Sequence, residues 1–135
     1  MNLSTKAILL YSIIGAVVLT YLPYLLVAFG RAQIGYDLAA PRAMFDKLPA
    51  YAQRATWAHQ NSFEAAIVYI AAATMAYITG VESPWVVKAA IAFLIARLLF
   101  SVFYIANIPL ARSLMFAIGS AASATLFILS VIELQ

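Results

Sequence analysis

Four long apolar stretches divide this chain, separated by two brief polar breaks and one longer one. The first, Ile8 to Phe29, holds no charged residue. The second runs from about Tyr51 to Ile78 and carries Arg54, His59 and Glu64 in its first half. The third, from about Pro84 to Ile108, carries Lys88 and Arg97, and the fourth, from about Pro109 to Leu134, carries Arg112 near its start. Each is long enough to cross a hydrocarbon core of about 30 Å as a helix. The punctuation fits these bounds. Gly30 closes the first stretch, Ser83-Pro84 reads as an N-cap followed by proline at the first helical position, and Pro109 opens the fourth in the same way. Pro23 lies inside the first helix and is expected to bend it.

The only long connection is "GRAQIGYDLAAPRAMFDKLPA", residues 30–50. The other two links are a few residues each, and short links make antiparallel neighbours. The pattern therefore predicts an all-α integral membrane protein, an up-down four-helix transmembrane bundle, with residues 1–135 forming one domain.

Composition narrows the functional classes. Hydrophobic residues make up 66% and charged residues 10%, too apolar for a soluble domain of this size. The first apolar block is longer than the ~7–15 residues of a signal-peptide core, so it reads as a spanning helix. There is no cysteine, which excludes disulfides, thiolate metal sites and a protein thiol nucleophile. Any thiol chemistry needs a thiol brought in as cosubstrate. His59 is the single histidine, too few ligands for a metal site. The net charge of +3 is scattered, with no basic run to suggest nucleic acid. Arg31, Arg42, Lys47, Arg54 and Arg112 lie on the side of the long loop and Lys6 and Lys88 on the other. That bias places the long first loop in the cytoplasm and both termini on the opposite side.

The polar residues within the apolar stretches fall on stripes. Trp57, Asn61, Glu64 and Val68 share one helical face, and Arg97, Phe100, Ser101 and Tyr104 share another. Glu64 and Arg97 lie about 20 Å and about 16 Å of helix from the long-loop end at 1.5 Å per residue. Opposite charges at similar depth are expected to pair, within one chain or across a subunit boundary. Such a pair either fixes helix register or belongs to a binding site; Asn61, Ser101 and Tyr104 add hydrogen-bonding capacity beyond what an ion pair requires. Arg112 falls in the first turn of the fourth helix, where the dipole disfavours a cation unless an anion binds there. An interfacial anchor is the other reading. His59 lies off the Asn61/Glu64 face, near the interface or in a helix contact. Tyr24, Tyr51, Trp57 and Trp85 fit an aromatic belt, with lining a site the other reading of Trp57. Gly119/Ser123 and Ser120/Ala124 put small residues at the spacing that lets membrane helices approach closely.

"AHQNSFE" at 58–64 and "ARLLFSVFYIANIPLARS" at 96–113, with the four-block layout and long first loop, resemble the MAPEG superfamily of membrane proteins in eicosanoid and glutathione metabolism. The likeness is to its microsomal glutathione transferases. The resemblance implies a homotrimer of four-helix bundles with glutathione between neighbouring subunits. It implies that Asn61, Glu64, Arg97 and Tyr104 hold the peptide part of glutathione, and that Arg112 and Ser113 lie beside its sulfur and act in catalysis. Several glutathione-using members have arginine at the positions of Trp57 and Gln60, and some have histidine at that of Phe100.

Two functions follow as expectations. One is a glutathione transferase or lipid hydroperoxide peroxidase acting on apolar electrophiles, with a thiolate-stabilising site at the start of the fourth helix. The other is a non-catalytic protein of the same fold that binds a lipid or a membrane protein partner. Small multidrug transporters have a similar size but an essential carboxylate in their first helix, which is uncharged here.

Overall fold

The computed structural model describes residues 3–135. Four long helices carry the fold: α1 (Thr5–Gln33), α2 (Ala50–Thr79), α3 (Pro84–Ile105) and α4 (Pro109–Glu133). All four are long and apolar enough to cross a membrane. They form an up-down bundle in which α2 and α3 touch each other and both outer helices. Leu25, Ile67, Ile78, Ile95, Leu110 and Ile128 are exposed on its outside, as lipid-facing residues of a membrane bundle are.

The helix ends follow local chemistry. The Ser83 hydroxyl accepts from the Trp85 N–H and Pro84 opens α3. Gly80, in the left-handed region at φ 73°, ends α2. Asn107 does the same for α3 at φ 60°. The Asn107 N–H donates to the Tyr104 carbonyl and the Ile108 N–H to that of Phe103, the paired bonds of a Schellman stop. That stop ends α3 at Ile105, three residues before the expected bound, and lets α4 start four residues later at Pro109.

The first helix corrects the sequence reading of Gly30. Helix α1 runs through Pro23 and through Gly30 to Gln33. Gly30 is an approach point, not a stop: a Cβ there would lie 2.6 Å from the Ala52 Cβ on α2. Gly30→Ala should therefore destabilise the bundle by about 1–3 kcal/mol, the usual range for overpacking. Thermal melts in detergent should show that loss, with partial recovery in Gly30→Ala/Ala52→Gly. A melt unchanged by Gly30→Ala would refute the close approach.

The long connection is also more ordered than its composition suggests. A 3-10 helix spans Pro41–Lys47. Met44 and Leu48 are buried, Gln53 Nε2 donates to the Phe45 and Leu48 carbonyls, and the Tyr51 hydroxyl donates to Gln33 Oε1. These bonds hold the loop against the ends of α1 and α2.

The core is uneven along the bundle axis. At the end away from the long loop it is apolar, built on Leu9, Tyr69, Phe93 and Leu126 with alanines of α2 and α3 between them. Tyr69 stacks on Phe93 with centroids 3.8 Å apart, and its hydroxyl donates to Ser12. Nearer the long loop come the buried polar residues Thr20, Ser62, Arg97 and Ser101, and a second apolar cluster of Val27, Leu48, Ala52 and Ala55 closes the loop end. The polar layer between the two clusters is where the candidate site lies.

Candidate functional site

Arg97 is the centre of that polar region. It is only 3% exposed. Its Nη2 donates to Asn61 Oδ1 at 3.1 Å and to Ser62 Oγ at 3.0 Å, and its guanidinium carbon lies 4.0 Å over the Phe100 ring. Ser62 and Ser101 hydroxyls stand 3.5 Å apart. The arginine stem passes beside Gly119 on α4, where a Cβ would sit in ordinary contact, 3.6 Å from Arg97 Cδ. Arg97 Nε has no partner among the described residues. A buried cation thus keeps unused donor capacity, which an incoming oxyanion can take up.

The expected ion pair between Glu64 and Arg97 does not form within the chain. Glu64 is exposed on the outer side of α2, and Arg97 is held by Asn61 and Ser62 instead. Helix geometry explains this. At 3.6 residues per turn, Ser62 lies about 160° from Glu64 around the axis and Asn61 about 60°; Asn61 and Ser62 between them occupy the Arg97 Nη2, and Glu64 lines the same cavity without bonding to it.

At the start of α4, Arg112 and Ser113 sit directly after the Schellman turn. The Arg112 guanidinium carbon lies 4.6 Å over the Tyr104 ring on α3, so an aromatic face holds the cation. The first turn of α4 has no side-chain cap and no acidic residue, leaving its positive end uncompensated from within the helix. Ser113 is exposed beside it.

Two adjoining cavities collect all six residues singled out from the sequence. One, of about 300 Å³, is lined by Asn61, Glu64, Arg97 and Phe116 together with the small residues of α4. The other, of about 270 Å³, is lined by Asn61, Phe100, Tyr104, Arg112, Ser113 and Phe116. Asn61 and Phe116 belong to both walls. Gly119 and Ser123 are buried, while Ser120 and Ala124 face outward along the first cavity. The chemistry is graded: apolar toward the α4 side, cationic toward the α3–α4 turn.

Two contributors escaped the sequence reading. Ser62 is a main hydrogen-bond partner of Arg97, yet a lone serine among alanines carries no distinguishing pattern. Arg54 was assigned only to the charge bias of the loop side. Its Nε donates to the Ile105 carbonyl at the end of α3 at 2.7 Å, and it shares a small cleft with Trp57, Tyr104 and Arg112. Arg54 therefore places a second cation near the α3–α4 turn, one helical turn before Trp57. Trp57 is half in each expected role: it is exposed, lies tilted against Phe45 with ring centroids 5.5 Å apart, and lines that cleft. His59 forms a helix contact, bonding through Nδ1 to the Thr20 carbonyl of α1 at 2.7 Å.

A four-helix membrane bundle with a cation-lined cleft at one end of its polar core defines the class. Residues 8–132 match the MAPEG family, nearly the whole chain, and the protein belongs to that family. No curated protein and no solved structure matches it significantly.

Proposed function

We propose that the protein is a glutathione-dependent membrane enzyme, a transferase or lipid hydroperoxide peroxidase acting on apolar electrophiles. The observation that carries this reading is the pair of adjoining cavities lined by Asn61, Glu64, Arg97, Tyr104, Arg112 and Ser113. Each is near the small end of ligand sites, ~300–1,000 Å³. Arg97 and Arg112 suit the two carboxylates and the thiolate of glutathione, and Glu64 suits its amine.

The chemistry needs a thiolate, because the thiol itself is a poor nucleophile. Arg112 and the positive end of α4 lower the free energy of the sulfur anion, and the Ser113 hydroxyl donates to it. In transfer, the sulfur lone pair forms a carbon–sulfur bond and a leaving group departs with the displaced electron pair. In peroxide reduction, the sulfur attacks the terminal oxygen and the O–O bond breaks. The alkoxide takes a proton to become an alcohol. A second glutathione then reduces the sulfenic acid, giving the disulfide and water. Apolar substrate enters along Phe116 and the small residues of α4.

The family resemblance makes the assembly a homotrimer, and the exposure of Glu64 supports a covering neighbour. A carboxylate exposed on a spanning helix is expensive in lipid, and a neighbouring subunit would cover it. Mass measurement in mild detergent should give three chains, and a monomer or dimer would count against this assembly. The long loop is cytoplasmic on the charge bias already described.

A second reading is a non-catalytic protein of this fold that binds a lipid or a membrane protein. It is favoured by Trp57, Gln60 and Phe100, which replace basic residues of several glutathione-using relatives. Equilibrium binding of glutathione to the purified protein separates the two. Saturable binding at millimolar concentration or below supports the enzyme, and its absence supports the second reading.

A further inference from the structure

The last carbonyl of α3 has no backbone donor. In a helix that continued, the Ile105 oxygen would accept from the N–H of residue 109, but Pro109 has none. The two N–H groups before it are taken, Asn107 donating to the Tyr104 carbonyl and Ile108 to that of Phe103. No described backbone N–H donates to Ile105. The donor comes from another helix instead. Arg54, half-buried on α2, gives its Nε–H to that carbonyl at 2.7 Å. A cation there also meets the negative end of the α3 dipole. No described acidic residue lines the cleft that Arg54 shares with Trp57, Tyr104 and Arg112, so the carbonyl is its anchor.

Chain order says what this bond holds in place. Tyr104 directly precedes Ile105, and Arg112 follows Pro109 within the first turn of α4. The corner between them is the segment that Arg54 fastens to α2, and among the described residues no other side chain of α2 bonds to it. Arg112 stands over the Tyr104 ring at 4.6 Å, so the place of its guanidinium depends on where that corner is held. We propose that Arg54 is a positioning residue: by donating to the Ile105 carbonyl it fixes the α3–α4 corner against α2 and sets the Arg112 guanidinium beside Ser113. The consequence for catalysis rests on the thiol reading; the coupling of Arg54 to Arg112 does not.

The chain has no cysteine, so Ser113→Cys supplies a single thiol at the start of α4. Its alkylation by anionic iodoacetate and by neutral iodoacetamide would be timed in detergent at one pH and low salt. The ratio of the two rates cancels access and thiolate content and reads local charge. In this background Arg112→Ala should lower the ratio about two- to fivefold, the range for a charge at an exposed helix end. Arg54→Met should lower it too, but should add nothing once Arg112→Ala is present, because its effect passes through Arg112. Lys88→Ala, at the other end of the bundle, should leave the ratio unchanged. Should Arg54→Met fail to fold, Arg54→Lys keeps the charge and loses the fixed Nε–H, and the same cycle should show a smaller drop of the same form. A folded Arg54 variant with the parent ratio overturns the proposal. So does a drop that persists in full beside Arg112→Ala, since Arg54 would then act by its own charge. A ratio indifferent to Arg112→Ala overturns it as well, because the guanidinium would not stand beside residue 113. Glutathione enters no step of this assay, so a failure to bind it would refute the thiol reading and leave the coupling of Arg54 to Arg112 standing.

Discussion

Under the proposed glutathione-dependent function, replacing Arg112 by alanine should abolish most of the thiolate formed from bound glutathione at neutral pH. The guanidinium is the charged group nearest the start of α4. It is steadied by the Tyr104 ring at 4.6 Å, and no acidic side chain in the first turn competes for it. A hydrogen bond to a charged group is worth about 1.5–3 kcal/mol, which corresponds to about one to two units in the thiol pKa. The sign follows directly. Removing a cation that favours the sulfur anion raises the thiol pKa, so a thiolate present at neutral pH in wild type should appear only at higher pH in the variant. The ultraviolet absorbance of the thiolate, titrated with pH on the glutathione-loaded protein, measures this. Tyr104→Phe should keep most of the signal, because the ring that holds Arg112 remains, whereas Tyr104→Leu should lose part of it. An Arg112→Ala titration that overlays wild type would remove Arg112 from the sulfur.

Much of this architecture is written in the chain because lipid imposes simple rules. A spanning helix must be long and nearly free of charge, and its ends can be marked by proline, serine and glycine. The pattern thus located all four helices closely. Gly30 is the instructive failure. Glycine at the end of an apolar run reads equally as a stop or as a site of close packing, and only the partner helix decides. Ala52, buried on α2, made it the latter. The 3-10 segment was invisible for a related reason: Met44 and Leu48 bury against other elements, and a short loop helix has no periodicity of its own.

The candidate site was legible in its membership more than in its bonds. Asn61, Tyr104, Arg112 and Ser113 line one cavity, and Glu64 and Arg97 line the next. Depth along the axis, which spacing supplies, grouped only Glu64 with Arg97; the MAPEG resemblance brought the six residues together as a site. Bonding depends on rotation about the axis and on competing partners, which spacing supplies only approximately. Glu64 and Arg97 share a depth, yet Ser62, inward and nearer to α3, took the arginine.

The bonds that replaced the expected ion pair make the second strong prediction. Asn61→Leu with Ser62→Ala should destabilise the bundle by about 3–5 kcal/mol, the range for stranding a buried charge. Both oxygens that accept from Arg97 Nη2 would be gone, and Arg97 is only 3% exposed. Adding Arg97→Met should recover much of the loss. The methionine preserves the stem that packs near Gly119 while removing the uncompensated cation. The triple variant should therefore melt above the double variant in detergent, although it carries one more substitution. Glu64→Gln should scarcely alter the melt of a single chain, since Glu64 is exposed and bonds to no described residue. If the triple variant melts below the double, Arg97 is stabilised chiefly by its stacking on Phe100 rather than by Asn61 and Ser62. The polar layer of the core would then be held by packing, as the apolar clusters on either side of it are.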